Sequence, residues 1–151
     1  MLGELNEEQV NNVLASQVLG RLACTDGLQP YIVPVTYCYD GKYIYGQTND
    51  GTKLDIVRKN PNICFQVDMM TDMANWQSVL VFGQFEELAE GDAESQIARE
   101  TLFARVFSLM TSSTVHAHEH EPGTDVDDSN RVKPIMYRIA ITRKTGRFER
   151  R

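Results

Sequence analysis

The sequence predicts a mainly β, α+β fold: an antiparallel barrel, closed or nearly closed, with helices over its ends. Three observations lead there. Six stretches read as strands, from "LGRLACT" to "IMYRIAITRKTGRF". Short turns such as Asp26-Gly27 and Asp40-Gly41 join successive stretches and leave no room for a crossover helix. Helical periodicity is confined to three segments, one before the first strand and two set singly between strands. The 151 residues suit one domain, 1–151, with one core.

"LNEEQVNNVLAS" opens the first helix. Asn6 is placed to cap it, Gln9 to close a capping box, and Leu5 and Val10 to form a hydrophobic staple. Val10, Val13, Leu14 and Val18 make its apolar stripe. "LGRLACT", "YIVPVTYCY" and "DGKYIYGQT" then read as three strands of a meander. "NDGTKLDIVRKNP" changes to a helical period through Leu54 and Val57, and Asn60-Pro61 ends it. "NICFQVDMM" and the longer "NWQSVLVFGQFEEL" return to strand, with a bend expected at Gly83. Asp92 is placed to cap the third helix, with Ile97, Phe103, Val106, Phe107 and Met110 expected inward. "TSSTVHAHEHEPGTDVDDSNRVKP" has no sustained period and reads as an irregular connection before the last strand.

Charge narrows the function. A net charge of −6 disfavours non-specific binding to nucleic acid or anionic lipid, which needs a basic surface. No apolar run is long enough to span a bilayer, and "MLGELNEEQV" lacks the charged and apolar regions of a signal peptide. Cys24, Cys38 and Cys64 form no Cys-x-x-Cys pair and sit among apolar residues. They read as free thiols in a reducing cytoplasm.

Two motifs compete for the chemistry. "VHAHEHEPG" holds all three histidines, His116, His118 and His120. Extended, they would share a face, and Glu121 or Asp125 could complete a metal site. The surrounding stretch is acidic and offers no apolar face to fix the ligands, so a solvated surface loop is the preferred reading. With no histidine elsewhere, a Ser-His-Asp or Cys-His nucleophile is disfavoured. The second motif is "YIYGQTNDGTKLDIVRKNP". A strand ends at Gln47-Thr48, and Gly51, Thr52 and Lys53 open a helix. Free N–H groups at a helix start, two hydroxyls and an ammonium are the parts of a phosphate cradle. Gly-x-x-x-x-Gly-Lys is absent, so this is no P-loop, and Asp50 argues for an ordinary capped helix instead.

The stretches "GRLACTDGLQPYIVPVTYCYDGKYIYGQT", "GTKLDIVRKNPNICFQVD", "NWQSVLVFGQFEEL" and "YRIAITRKTGRFE" resemble, in order and spacing, the FMN-binding split-barrel family related to pyridoxamine 5′-phosphate oxidase. The branch that includes the nitroimidazole-resistance flavoproteins is the most similar. The resemblance implies a six-stranded antiparallel Greek-key split barrel, a homodimer, and one FMN in each cleft between subunits. It implies that Val33, Pro34, Val35 and Thr36 lie along the flavin, and that Gln47, Thr48, Gly51, Thr52 and Lys53 approach its ring and phosphate. Trp76, Gln77, Ser78 and Arg147 match further positions near the cofactor or the dimer seam. A strand carrying Pro34 leaves neighbouring backbone groups free for the flavin edge. Full pyridoxamine-phosphate oxidases carry an arginine where this chain has Thr52, so pyridoxamine oxidation is not expected. The expectation is a small FMN-dependent oxidoreductase that passes electrons from a reduced nicotinamide to a small-molecule acceptor. Its catalytic side chains are unassigned; Tyr37, Tyr45 and Gln47 are polar candidates near the ring. A non-catalytic flavin or haem binder and a metalloprotein built on the histidines are the competing expectations.

Overall fold

A computed structural model describes residues 1–107 and 134–151. The histidine-rich stretch and Met110 lie outside the described residues, and nothing is described of the Phe107 side chain.

The elements run β1 (Leu2–Glu4), α1 (Glu7–Ser16), β2 (Leu19–Thr25), β3 (Pro30–Thr36), β4 (Cys38–Tyr39), β5 (Tyr43–Thr48), α2 (Thr52–Lys59), β6 (Asn62–Asp72), β7 (Asn75–Glu87), α3 (Ala93–Phe107) and β8 (Ile135–Glu149). All strand pairings are antiparallel, in the order β3-β2-β6-β7-β8-β5-β4, with β1 added to β8. The sheet curls into a half-barrel: β3 and β5 approach each other, yet no ladder joins them. The split in the barrel lies between those two strands.

Local chemistry explains the elements. Asn6 and Gln9 form a reciprocal capping box at 2.9 Å in both directions, so two donors at the start of α1 are satisfied. Asp26 and Asp40 each accept two backbone N–H bonds from the turn that follows, which fixes the bends after β2 and β4. Asp92 lies just before α3, and its carboxylate accepts from the Glu94 N–H at 3.4 Å. At Gly83 a Cβ would stand 2.5 Å from the Ala140 carbonyl oxygen, so only glycine allows β7 and β8 to close there. The ladder skips a residue of β8 at the same point, where Phe82 faces Arg143 and Gly83 faces Ile141, and the strands bend.

The core lies inside the curl. Val10, Val13 and Leu14 of α1 and Leu54 and Val57 of α2 pack with Leu22, Ile44, Phe65, Val67, Val79, Val81, Tyr137 and Ile139 from the strands. Each such side chain contributes roughly 1.5–3 kcal/mol through burial. A smaller cluster joins α3, through Ala98 and Leu102, to Cys38, Leu88 and Met136.

Three expectations change. The meander breaks after β3: β2 pairs with β3, but β4 and β5 sit at the opposite end of the sheet, and β5 pairs with β8. Short turns fix which strands are consecutive, while burial decides which become neighbours. "YIVPVTYCY" is two strands, separated at Tyr37 as the chain leaves one end of the sheet for the other. On α3, Ile97 is 63% exposed, whereas Ser95, Ala98 and Leu102 are buried. Val106 packs against this cluster as expected, so it is the Ile97 turn of the stripe that faces out, where the small Ser95 and Ala98 face in. The short β1 is absent from the sequence expectation; three residues carry too little pattern to announce a strand, and pairing with β8 creates it.

Candidate functional site

The expected cofactor residues fall into three groups, two of which flank the split. Val33, Pro34, Val35 and Thr36 lie on β3, which among the described residues is an edge strand paired only with β2. Val33 and Val35 turn toward the core, whereas Pro34 and Thr36 are exposed. Pro34 is tolerated because its outer edge has no ladder to complete. Among the described residues, the backbone groups on that edge join no ladder.

The second group sits across the split, where β5 runs into α2. Gln47 is exposed. Thr48 is 8% exposed, and its hydroxyl donates to the Asn49 carbonyl at 3.0 Å. Gly51 occupies the N-cap of α2 with no side-chain cap, so the first N–H groups keep their capacity to bind an anion. Thr52 is exposed beside them. Asp50 turns toward Arg58, 3.9 Å away, and Arg58 is also held by Glu87 at 2.5 Å, so the acidic residue next to the cradle has a cation of its own.

Lys53 is the unusual member. Its side chain is half-buried, and no carboxylate among the described residues pairs with it. It points inward: Nζ lies 5.9 Å from the centre of the Tyr137 ring, and the Cys24 thiol feels its charge. Burial pushes the Lys53 ammonium below the ordinary lysine range, an effect that Cys24 opposes in smaller measure. An ammonium in this position lacks full hydration and, among the described residues, a counter-ion, so it favours an incoming anion.

The third group lies elsewhere on the sheet. Trp76, Gln77 and Ser78 are half-buried on β7, and exposed Arg147 stands opposite Ser78 on β8. Trp76 donates its indole N–H to Glu149 at 3.2 Å, and Ser78 accepts from Gln66 at 3.0 Å. From β3, the path to β7 crosses β2 and β6. At about 4.8 Å per strand the path along the curled sheet is roughly 15 Å, and one strand longer to Arg147 on β8. One chain therefore joins the first two groups around the split and leaves the third apart.

The face shared by these outer positions carries little cover. Leu19, Ile32 and Met70 are 45%, 65% and 58% exposed, and Trp76, Leu80 and Phe82 are half-buried beside them. Arg21 and Asp68 form an ion pair at 2.7 Å on the same face.

Two of the polar candidates make contacts within the fold. The Tyr37 hydroxyl is buried and donates to the Leu14 carbonyl at 2.7 Å, tying the end of β3 to α1. Tyr45 packs against the α3 cluster, and burial together with Asp40 pushes its hydroxyl up to about 12. Both hydroxyls therefore stay protonated at neutral pH, which disfavours either as a general base. Tyr137 was not among the expected site residues, yet its ring adjoins Lys53. Its only sequence signal is an inward position in the closing strand, which any apolar residue would also give. Among the described residues, no group of three or more His, Cys, Asp or Glu could hold a metal ion. The expected His116, His118 and His120 site lies outside the described residues.

Comparison with known proteins adds a further constraint. A family model described as pyridoxamine 5′-phosphate oxidase matches residues 6–148. An uncharacterized protein of Rhizobium meliloti is 38% identical over 84 residues, which are 56% of this chain and 56% of that protein. The match thus spans little more than half the length of that curated relative. Among solved structures, an FAD-binding protein from Mesorhizobium loti is similar with a TM-score of 0.79 and 26% identity, covering 100% of this chain and 98% of that one. A candidate 5-nitroimidazole antibiotic resistance protein from Bacteroides thetaiotaomicron gives a TM-score of 0.69 at 14% identity, covering 98% and 87%, and shares the fold.

Proposed function

The chain belongs to the pyridoxamine 5′-phosphate oxidase family, and from that premise we propose that it binds a flavin nucleotide, FMN, by its phosphate. The observation that carries this reading is the half-buried Lys53, without a carboxylate partner among the described residues, beside the uncapped start of α2. A phosphate needs a localised positive charge and several donors, and Lys53, Thr48, Thr52 and the helix N–H groups offer both. The free edge of β3 offers backbone groups to the flavin's hydrogen-bonding edge. FAD, the ligand named for the Mesorhizobium loti protein, shares the same isoalloxazine and inner phosphate. Chromatography of the flavin released by denaturation separates the two.

The molecule works as a homodimer with the flavin between subunits. The separation of Trp76, Gln77, Ser78 and Arg147 from the split supports this, because a second copy is the simplest way to bring them to the same ligand. The exposed Leu19, Ile32 and Met70 give such a contact apolar area.

The activity is that of an oxidoreductase. The bound flavin supplies two-electron chemistry between a reduced nicotinamide and a small acceptor, while the protein supplies position and electrostatics. The acidic composition fits a small-molecule substrate rather than nucleic acid or an anionic membrane. The free thiols favour a cytoplasmic setting, and no described helix is long and apolar enough to cross a membrane.

The test is a visible absorption spectrum of the purified protein followed by FMN titration. Lys53→Ala should weaken FMN binding about 10- to 150-fold, the range of a charge-assisted hydrogen bond. Unchanged affinity would defeat the phosphate assignment. Anaerobic NADH or NADPH should bleach the bound flavin; reduction by neither would make the protein a binder without turnover.

A further inference from the structure

Tyr137 carries a hydroxyl with no hydrogen-bond partner. It is the one buried side-chain polar atom among the described residues in that state. The residue is 0% exposed, and burial holds its phenol well above the ordinary range, so the O–H remains a donor at any physiological pH. A native fold leaves few such groups unsatisfied, and an unfilled ligand position is one of the standard reasons.

The surroundings indicate the missing acceptor. The ring is fixed on one side by Phe85, stacked with centroids 4.5 Å apart and planes at 26°. Gly46, its neighbour across the β5–β8 ladder, lies over the hydroxyl, and a Cβ at Gly46 would collide with it. Gly46 stands two residues before Thr48 and five before the α2 cap, so the roof over this hydroxyl is the strand that leads into the cradle. Lys53 enters from the other end of that segment, with Nζ 5.9 Å from the ring centre. An unsatisfied donor and a cation with no carboxylate partner among the described residues thus meet at one ring, and both side chains suit an anion.

We propose that the Tyr137 hydroxyl donates to the phosphate that Lys53 attracts, so that the anion seats against β8 at the mouth of the split, deeper than the exposed first turn of α2. This rests on the flavin-phosphate reading and deepens it by naming a residue that recognises the phosphate from the barrel interior. Gly46 then serves the site indirectly, because the missing Cβ leaves the room that the Tyr137 hydroxyl itself occupies.

The experiment compares FMN with riboflavin, which lacks the phosphate, in wild type, Tyr137→Phe, Lys53→Met and the double variant, by flavin fluorescence quenching. Phenylalanine keeps the ring and its packing. Tyr137→Phe should raise the FMN Kd about tenfold or more and leave the riboflavin Kd unchanged. In the Lys53→Met background the same substitution should have a smaller effect, because the anion is no longer drawn in. The melting temperature of the flavin-free protein should stay level or rise, since an unsatisfied buried donor has been removed. Equal FMN affinity in wild type and Tyr137→Phe overturns the proposal alone. So does a fall in the flavin-free melting temperature with equal losses for FMN and riboflavin, the signature of a hydroxyl satisfied within the core. If wild type itself binds FMN no more tightly than riboflavin, the phosphate reading fails first, and that result is read from wild type alone.

Discussion

Gly46→Ala tests the packing on which the site stands. The added Cβ would lie 2.5 Å from Tyr137 Cζ and 3.0 Å from Cε1, with the hydroxyl nearer still. Carbon atoms reach favourable contact only near 3.5 Å, so the ring must retreat by about 1 Å. It has little room: Tyr137 is fully buried, and Phe85 is stacked behind it at 4.5 Å. Overpacking of this kind costs about 1–3 kcal/mol. Replacing a strand glycine recovers about 0.5–1 kcal/mol of backbone entropy. The net loss should be about 1–2 kcal/mol, or a fall in Tm of about 2–8 °C for a chain of this size. Urea unfolding with an unchanged m-value measures it directly. Tyr137→Leu shortens the obstructing side chain. The Gly46→Ala/Tyr137→Leu double variant should therefore lose less than the sum of the singles, with a coupling of about 1 kcal/mol. Strict additivity, or a Gly46→Ala midpoint equal to wild type, would refute the contact.

Two further outcomes follow from charge and exposure. Because burial depresses the folded-state pKa of Lys53, its charged form opposes folding below that value, and flavin-free stability should rise with pH between it and the unfolded lysine value of about 10.4. FMN affinity should move oppositely in the same alkaline window as the ammonium is lost; urea titrations and binding curves across pH would show both limbs vanish in Lys53→Met. Among the thiols, Cys24 and Cys38 are 4% and 5% exposed, and burial pushes Cys38 up to about 11, whereas Cys64 is half-exposed. A thiol reagent at about pH 8 should label native protein first at Cys64, and Cys64→Ser should remove that fast phase; equal rates at all three would contradict the burial.

Much of the cradle was legible because its signals are local. Gly51-Thr52-Lys53 after a strand announces a helix start with donors, and Asn60-Pro61 announces where that helix stops. The capping box at Asn6 and Gln9 was legible for the same reason, since both partners lie within one turn. Tyr137 was not legible. Its significance depends on Phe85, Gly46 and Lys53, which come from three other elements. The exposure of Ile97 was misread because periodicity reports that a helix has an apolar side, while the small Ser95 and Ala98 decided which side could approach the sheet.

By itself the sequence determined the class of the fold and the order of its elements, since caps, turns and two-residue alternation act within a few residues. It also determined that one lysine would open a helix beside a strand end. The tertiary structure alone decided that β5 would leave its sequence neighbours and pair with β8, opening the split between β3 and β5. It alone turned Lys53 inward, without a carboxylate partner among the described residues, and set it beside the ring of Tyr137, whose hydroxyl is unsatisfied. The physical reason is that long-range pairing is chosen by burying all the apolar faces together, a condition that no single stretch of chain contains.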